Sequence, residues 1–180
     1  MKLDKNIKRP FSVENYNPEW IDKFKVIQQT LKKVFANKAL SIEHIGSTSI
    51  IGTKAKPLID VLVVVEKMES FEKEIKEMED LDYSYGENYI APDTILFFKE
   101  NEHGSKTENI HVCEKDSPKA IQFITTRDYL RAHPERATQY GDLKELNAIK
   151  YADNYPEYRK AKQDFIDETE RLTQEWLSLL

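Results

Sequence analysis

Residues 41–62, Ser-Ile-Glu-His-Ile-Gly-Ser-Thr-Ser-Ile-Ile-Gly-Thr-Lys-Ala-Lys-Pro-Leu-Ile-Asp-Val-Leu, constrain this chain more than any other segment. Leu40, Ile42 and His44 alternate as one face of a strand that runs into Gly46-Ser47. A polar loop follows, and at Leu58 an apolar run begins that reaches Val65 with a single carboxylate, Asp60. A run apolar on both faces reads as a strand in the middle of a sheet. Twelve residues, 48–59, separate the Gly-Ser turn from Asp60. The spacing predicts two neighbouring strands with Gly46-Ser47 and Asp60 at the same end, and a strand centred on His111 close by. Glycine at such a turn lets backbone N–H groups approach an anion. The plainer alternative is an ordinary strand-ending turn held by a serine, with Thr48 and Ser49 either touching phosphate or capping the turn.

The rest of the chain alternates in character. Asn17-Pro18 reads as an N-cap with proline opening a helix, and Trp20, Phe24, Ile27, Leu31 and Val34 place that helix at about 18–36. Strands are expected at about 40–45 and 58–65. Ser70 precedes a second amphipathic helix marked by Phe71, Ile75, Met78 and Leu81. Tyr83–Ile90, Thr94–Lys99 and Asn109–Cys113 read as three more strands, with a polar hairpin loop at 100–106 that turns on Gly104. From Ser117-Pro118 onward only helix is expected, broken at His133-Pro134 and Tyr155-Pro156 because a residue before proline is pushed out of helical geometry. Tyr158, Ala161, Phe165, Leu172 and Trp176 read as one stripe on the last helix. The predicted architecture is α+β: a mixed sheet flanked by helices, with a helical part at about 118–180.

A length of 180 residues predicts a single domain, 1–180, large enough for a real core. No apolar run is long enough to cross a bilayer. Lys2, Asp4, Lys5, Lys8 and Arg9 follow Met1 without an apolar core behind them, so no signal peptide is expected, and the single Cys113 fits a reducing compartment. A cytoplasmic protein is the expectation. Residues 66–116 hold six Lys/Arg against fifteen Asp/Glu. That acidic middle would repel a polyphosphate backbone, which disfavours nucleic acid as a partner. Nothing in the sequence fixes an oligomeric state.

Asp60 is costly in an apolar strand unless it is paired, hydrogen-bonded or bound to a cation. A metal site and a salt bridge to Lys56, Arg127 or Arg131 both answer that need. His44 and His111 could join Asp60 as ligands, a set better suited to Zn²⁺ or Mn²⁺ than to oxygen-seeking Mg²⁺, or each could be a hydrogen-bonded core residue. Lys56 precedes Pro57 at the head of the Asp60 strand and could meet a phosphate or stand in solvent. Arg127 and Arg131, four apart on a helix, share a face and could clamp an anion. Their alternative is surface pairing, Arg127 with Asp128 and Arg131 with Glu135.

Three blocks carry a family resemblance: Tyr16-Asn-Pro-Glu-Trp20; Glu43-His-Ile-Gly-Ser-Thr-Ser49 with Ala55-Lys-Pro-Leu-Ile-Asp60; and Arg127-Asp-Tyr-Leu-Arg-Ala-His-Pro134, continuing to Tyr140 and Leu143-Lys144. Their order and spacing resemble the GrpB family, which is grouped by fold with the DNA polymerase β-type nucleotidyltransferases. The resemblance implies that Gly46-Ser47 cradles a phosphate and that Asp60 holds a catalytic divalent metal (Mg, Mn or Zn). It also implies that Lys144, Arg159 and Lys162 line the same cleft. One departure matters. Active members of that fold read Asp-apolar-Asp or Asp-apolar-Glu, and here Asp60-Val61 is followed by Leu62. Two readings follow. In one, the chain binds a nucleotide or another phosphate-bearing small molecule through Gly46, Ser47, Thr48, Lys56, Arg127 and Arg131, and moves a nucleoside monophosphate to a small acceptor. In the other, it is a catalytically silent binding or interaction protein of that fold.

Overall fold

The computed structural model describes residues 11–68, 70–87, 91–92 and 94–179; the charged stretch 2–9 and the end of the expected strand, 88–90, lie outside them. The first helix, α1 (Glu19–Phe35), begins where expected. The Asn17 side chain accepts from the Glu19 N–H at 2.9 Å, so one of the helix's orphan donors is satisfied. Trp20, Ile27, Leu31 and Val34 are buried along one stripe.

Five strands form one mixed sheet: β1 (Ala39–Ile45), β2 (Ile59–Val65), β3 (Ser84–Glu87), β4 (Thr94–Glu100) and β5 (Lys106–Glu114). The order is β1-β2-β5-β4-β3. Only β2 and β5 run parallel; the other neighbours are antiparallel. β2 lies between β1 and β5, which is why it tolerates apolar residues on both faces. Toward α1 and α2 (Glu72–Asp80), Ile42, Val61, Val63, Phe97, Ile110 and Val112 form the main core. Toward the C-terminal helices, Ile45, Leu62, Val64 and Cys113 pack on Ala120 and Phe123.

Two local departures from the expected pattern have clear causes. Leu40 does not share the buried face with Ile42 and His44 but stands 53% exposed, because the register slips between Ala39 and Ser41. β5 starts earlier than expected because its pairing with β4 extends to Glu100 opposite Lys106. The hairpin loop is thereby shortened to Asn101–Ser105, closed by an Asn101 N–H donating to Ser105 O at 2.9 Å.

Beyond β5 come α3 (Pro118–Ala132), α4 (Pro134–Lys150), α5 (Tyr155–Lys160) and α6 (Gln163–Leu177). Ser117 caps α3 by accepting from the Ala120 N–H at 3.3 Å, and His133 separates α3 from α4 as the proline rule predicts. The stripe from Tyr158 to Trp176 is carried by two helices rather than one. At the break, the Asn147 amide donates to the Ala161 carbonyl at 3.3 Å and draws it into a tertiary bond. Among the described residues, no helix is long and apolar enough to cross a membrane.

Candidate functional site

The antiparallel register sets Ile45 opposite Asp60, so the chain leaves β1 directly beside that carboxylate. Gly46 then takes φ +68°, a region that side chains disfavour. A Cβ on Gly46 would lie 2.7 Å from Asp60 Oδ2. Only glycine fits both the backbone turn and the carboxylate. Ser47–Ser49 form a single 3₁₀ turn, fastened by the Ser49 hydroxyl donating to Gly46 O at 2.6 Å.

Asp60 is held from the neighbouring strand. Asn109, its register partner on β5, donates Nδ2–H to Oδ1 at 2.9 Å, and His111 Nε2 stands 3.5 Å from the same oxygen. Burial raises the cost of ionising Asp60. His111, the Asn109 hydrogen bond and the Lys56 charge outweigh that cost and hold its pKa below the ordinary value. Asp60 is therefore an anion at neutral pH.

Helix α4 closes over this turn. Gly141 lets it approach so nearly that a Cβ there would be 3.0 Å from the Lys54 backbone nitrogen. Lys54 pairs with Asp142 at 2.9 Å and Glu145 at 2.7 Å, and the Thr53 hydroxyl donates to Ala137 O at 2.6 Å. These contacts place Tyr140 and Lys144 on a cleft of about 220 Å³ that also takes in Ser47, Lys56, Asp60 and Lys162, with Tyr158 in its wall. Lys144 is 3% exposed, and its Nζ has no hydrogen-bond partner among the described residues. It lies 4.4 Å from the Tyr140 ring centroid. Lys56 Nζ donates to the Tyr155 hydroxyl at 2.8 Å, and Lys162 Nζ lies 4.9 Å from the Tyr158 ring.

Three lysines crowd one cleft, and each disfavours charge on the others. Burial, then Lys162 and Lys56, drive the Lys144 pKa well down, against the opposite pull of Asp60. Burial, then Lys56 and Arg159, bring Lys162 to about 7. Burial and like charge together disfavour full protonation of these lysines. The Tyr158 hydroxyl, also buried, has no hydrogen-bond partner among the described residues.

The remaining expected residues divide. Thr48 lines the cleft, but its hydroxyl donates to Leu58 O at 3.1 Å and meets His44 Nε2 at 3.1 Å. With its one proton on Leu58, Thr48 accepts from His44, which assigns the Nε2–H tautomer. His44 is on the opposite sheet face from Asp60, stacked on Phe24 at 4.7 Å. Burial brings its pKa down to about 4. His111 does meet Asp60, while its ring packs on Phe123 at 4.8 Å.

Arg127 and Arg131 share a face as expected, and several of their donors are engaged within the protein. Arg127 reaches Glu43 at 3.0 Å, Asp128 at 2.7 Å and the His44 carbonyl at 3.3 Å. Arg131 donates twice to Ser49 O, at 3.0 and 3.2 Å. The pair fastens α3 to β1 and its turn. Arg159 faces a different cavity, on the far side of Lys56.

Asp60 and His111 make a thin donor set. Among the described residues, no group of three or more His, Cys, Asp or Glu could hold a metal ion. Leu62, where a second carboxylate would project, is fully buried against α3. These residues do not fit a two-cation centre, which needs several carboxylates around ions about 3.5–4 Å apart.

The GrpB family profile matches residues 10–171. The chain belongs to the GrpB family. It is 34% identical over 170 residues to UPF0157 protein YqkA of Bacillus subtilis, an alignment covering 94% of this chain and 49% of YqkA. It thus spans about half the length of that relative. Glutamate-rich protein GrpB of Alkalihalophilus pseudofirmus is 31% identical, with 85% of this chain and 90% of that protein covered. The crystal structure of conserved protein GrpB from Enterococcus faecalis superposes with a TM-score of 0.86 at 32% identity, covering 92% of this chain and 99% of that one. The mixed sheet and the C-terminal helices are those of the GrpB fold.

In the sequence, family resemblance alone points to Lys144 and Lys162, and Tyr158 reads as core only. A signal was nonetheless present in the residues. Ala137, Gly141 and Lys144 fall at i, i+4 and i+7, and all three are buried. A lysine on the apolar stripe of a helix is the sequence mark of a buried cation.

Proposed function

We propose that this chain binds a phosphate-bearing small molecule in the Gly46-Ser47/Asp60 cleft. The observation that carries this reading is Lys144, a buried amine with no hydrogen-bond acceptor among the described residues. Charging it there without a counterion is expensive, and an anionic ligand would offset that cost. Lys56 and Lys162 add charge, and Gly46 opens the turn that presents Ser47 to the same space. Calorimetry with pyrophosphate is the direct test. Lys144→Met should weaken binding by about 1.5–3 kcal/mol, the range of a charge-assisted hydrogen bond. Equal affinity in the variant would remove the cleft from consideration.

Nucleotidyl transfer is a second reading, favoured by the contact between Gly46 and Asp60. In it Asp60 would hold one divalent cation, Mg²⁺, Mn²⁺ or Zn²⁺, whose chemistry is to polarise a phosphate. The protein's own part would be to orient the phosphates with Ser47 and to neutralise them with Lys56, Lys144 and Lys162. The buried Leu62 weighs toward binding without transfer. Labelled triphosphates, each metal in turn and the Asp60→Asn variant separate the two: brisk turnover lost in that variant would establish an enzyme.

A further inference from the structure

The lysine cleft has a neighbour on the other side of Ser47. A second cavity of about 230 Å³ adjoins it between α3 and α6, with Gly46, Ser47 and Tyr140 lining both. Its floor is Ile50 and Leu130, both buried, with Ile166, Phe123 and Phe165 at the sides. Several polar residues along it are already matched with one another. Arg127 holds Glu43 and Asp128, and Gln122 bonds Glu170 and accepts from Lys119 at 2.7 Å. The rings have partners too. Phe165 stacks on Tyr140 at 5.2 Å and lies under the Arg136 guanidinium at 3.7 Å. Phe123 has His111 at 4.8 Å and the Lys119 ammonium at 4.8 Å. A ligand is therefore offered chiefly aliphatic carbon and ring edges.

We infer that the ligand of this cleft is the phosphate monoester of a small aliphatic alcohol, its phosphate among Lys56, Lys144 and Lys162 and its carbon chain in the cavity between α3 and α6. The inference rests on the phosphate reading above and adds what the phosphate is attached to. A cavity of about 150 Å³ holds benzene, so about 230 Å³ has room for a chain of about six carbons. It lies below the roughly 300 Å³ at which pockets for drug-sized ligands begin. A flat base also gains most from an uncovered aromatic face, and both phenyl rings are already covered.

Titration calorimetry of the full chain with inorganic phosphate, hexyl phosphate, glycerol 3-phosphate and adenosine monophosphate tests it. Hexyl phosphate should bind at least about tenfold tighter than inorganic phosphate or glycerol 3-phosphate, because only its chain leaves water for an apolar wall. Ile166→Trp, which fills the cavity, should reduce that advantage to under about threefold with inorganic phosphate unaffected. Ile166→Ala guards against a folding failure and should lower the advantage severalfold by removing wall contacts. Equal binding of hexyl phosphate and glycerol 3-phosphate, or tighter binding of the nucleotide, would overturn the inference while leaving the phosphate site standing. No binding of any phosphate would overturn both.

Discussion

The cations on α3 and those around the cleft look alike in sequence and have opposite fates in the fold. Arg127 and Arg131 find acceptors inside the protein: two carboxylates and two backbone carbonyls. Lys144, deeper than either, finds no hydrogen-bond acceptor among the described residues, and Lys162 is held beside it with Lys56 close by. Chemistry makes the division natural. A guanidinium has five donors in a rigid fork that several fixed acceptors can satisfy at once, whereas an ammonium is a compact point charge whose pKa yields on burial. Cations matched within the fold hold it together. A buried lysine left without a hydrogen-bond acceptor is what the proposed phosphate site rests on.

That contrast is broken most forcefully from the arginine side. Arg127→Met removes the partner of Glu43 and the tie between α3 and β1. Losing one member of a fully buried pair costs about 3–5 kcal/mol. Because the Glu43 and Asp128 side chains are 36% and 42% exposed, about 2 kcal/mol is expected here. Pyrophosphate affinity, measured in the folded fraction, should change by less than about threefold, because Arg127 does not line the lysine cleft. A large loss of affinity with stability intact would make Arg127 a ligand residue and dissolve the distinction.

From the lysine side the expected sign is reversed. Lys144→Met exchanges a buried amine without a hydrogen-bond acceptor for an apolar chain of similar length. The ligand-free protein should gain about 1 kcal/mol of stability, as replacements of buried ionic groups commonly do. Chemical denaturation without phosphate in the buffer measures it. A destabilised variant would mean that Lys144 has a structural role that its packing over Tyr140 supplies.

How much of this was legible beforehand differs by residue. Periodicity placed α1, β1, β2 and the proline break at His133, because those elements are set by local pattern and turn chemistry. The adjacency of Gly46 and Asp60 was legible too, since two strands and a connection of a dozen residues leave few ways to pair. The position of His44 was not. Alternation puts Ile42 and His44 on one face, but whether that face carries Asp60 depends on the register, and Ile45 takes that place. The fate of each cation was equally hidden. Arg127 and Lys144 differ in what reaches them from other elements, and that is fixed only when α3 and α4 dock on the sheet.

The finest test of the contrast uses pH, since only the lysine side should titrate near neutrality. Lys162 faces Lys56, Lys144, Arg159 and Asp60, and it releases its proton at about 7 when folded, against 10.5 as the ordinary value. Between those values the unfolded chain binds more protons than the folded one. Stability of the ligand-free protein should therefore rise as pH increases from 7 toward 10.5. Anion binding should follow the opposite course, because a bound anion favours the charged lysine. Sulfate is the suitable probe, since it does not itself titrate in this range. Its affinity should be greatest below pH 7 and fall above it, by at most about tenfold per pH unit for each proton taken up on binding. Lys162→Gln should flatten much of that dependence, leaving what Lys144 contributes. Arg127→Met should leave the slope unchanged. A sulfate affinity that is flat from pH 6.5 to 9 in the native protein would show that the cleft lysines keep their protons in the folded state, as the arginines do.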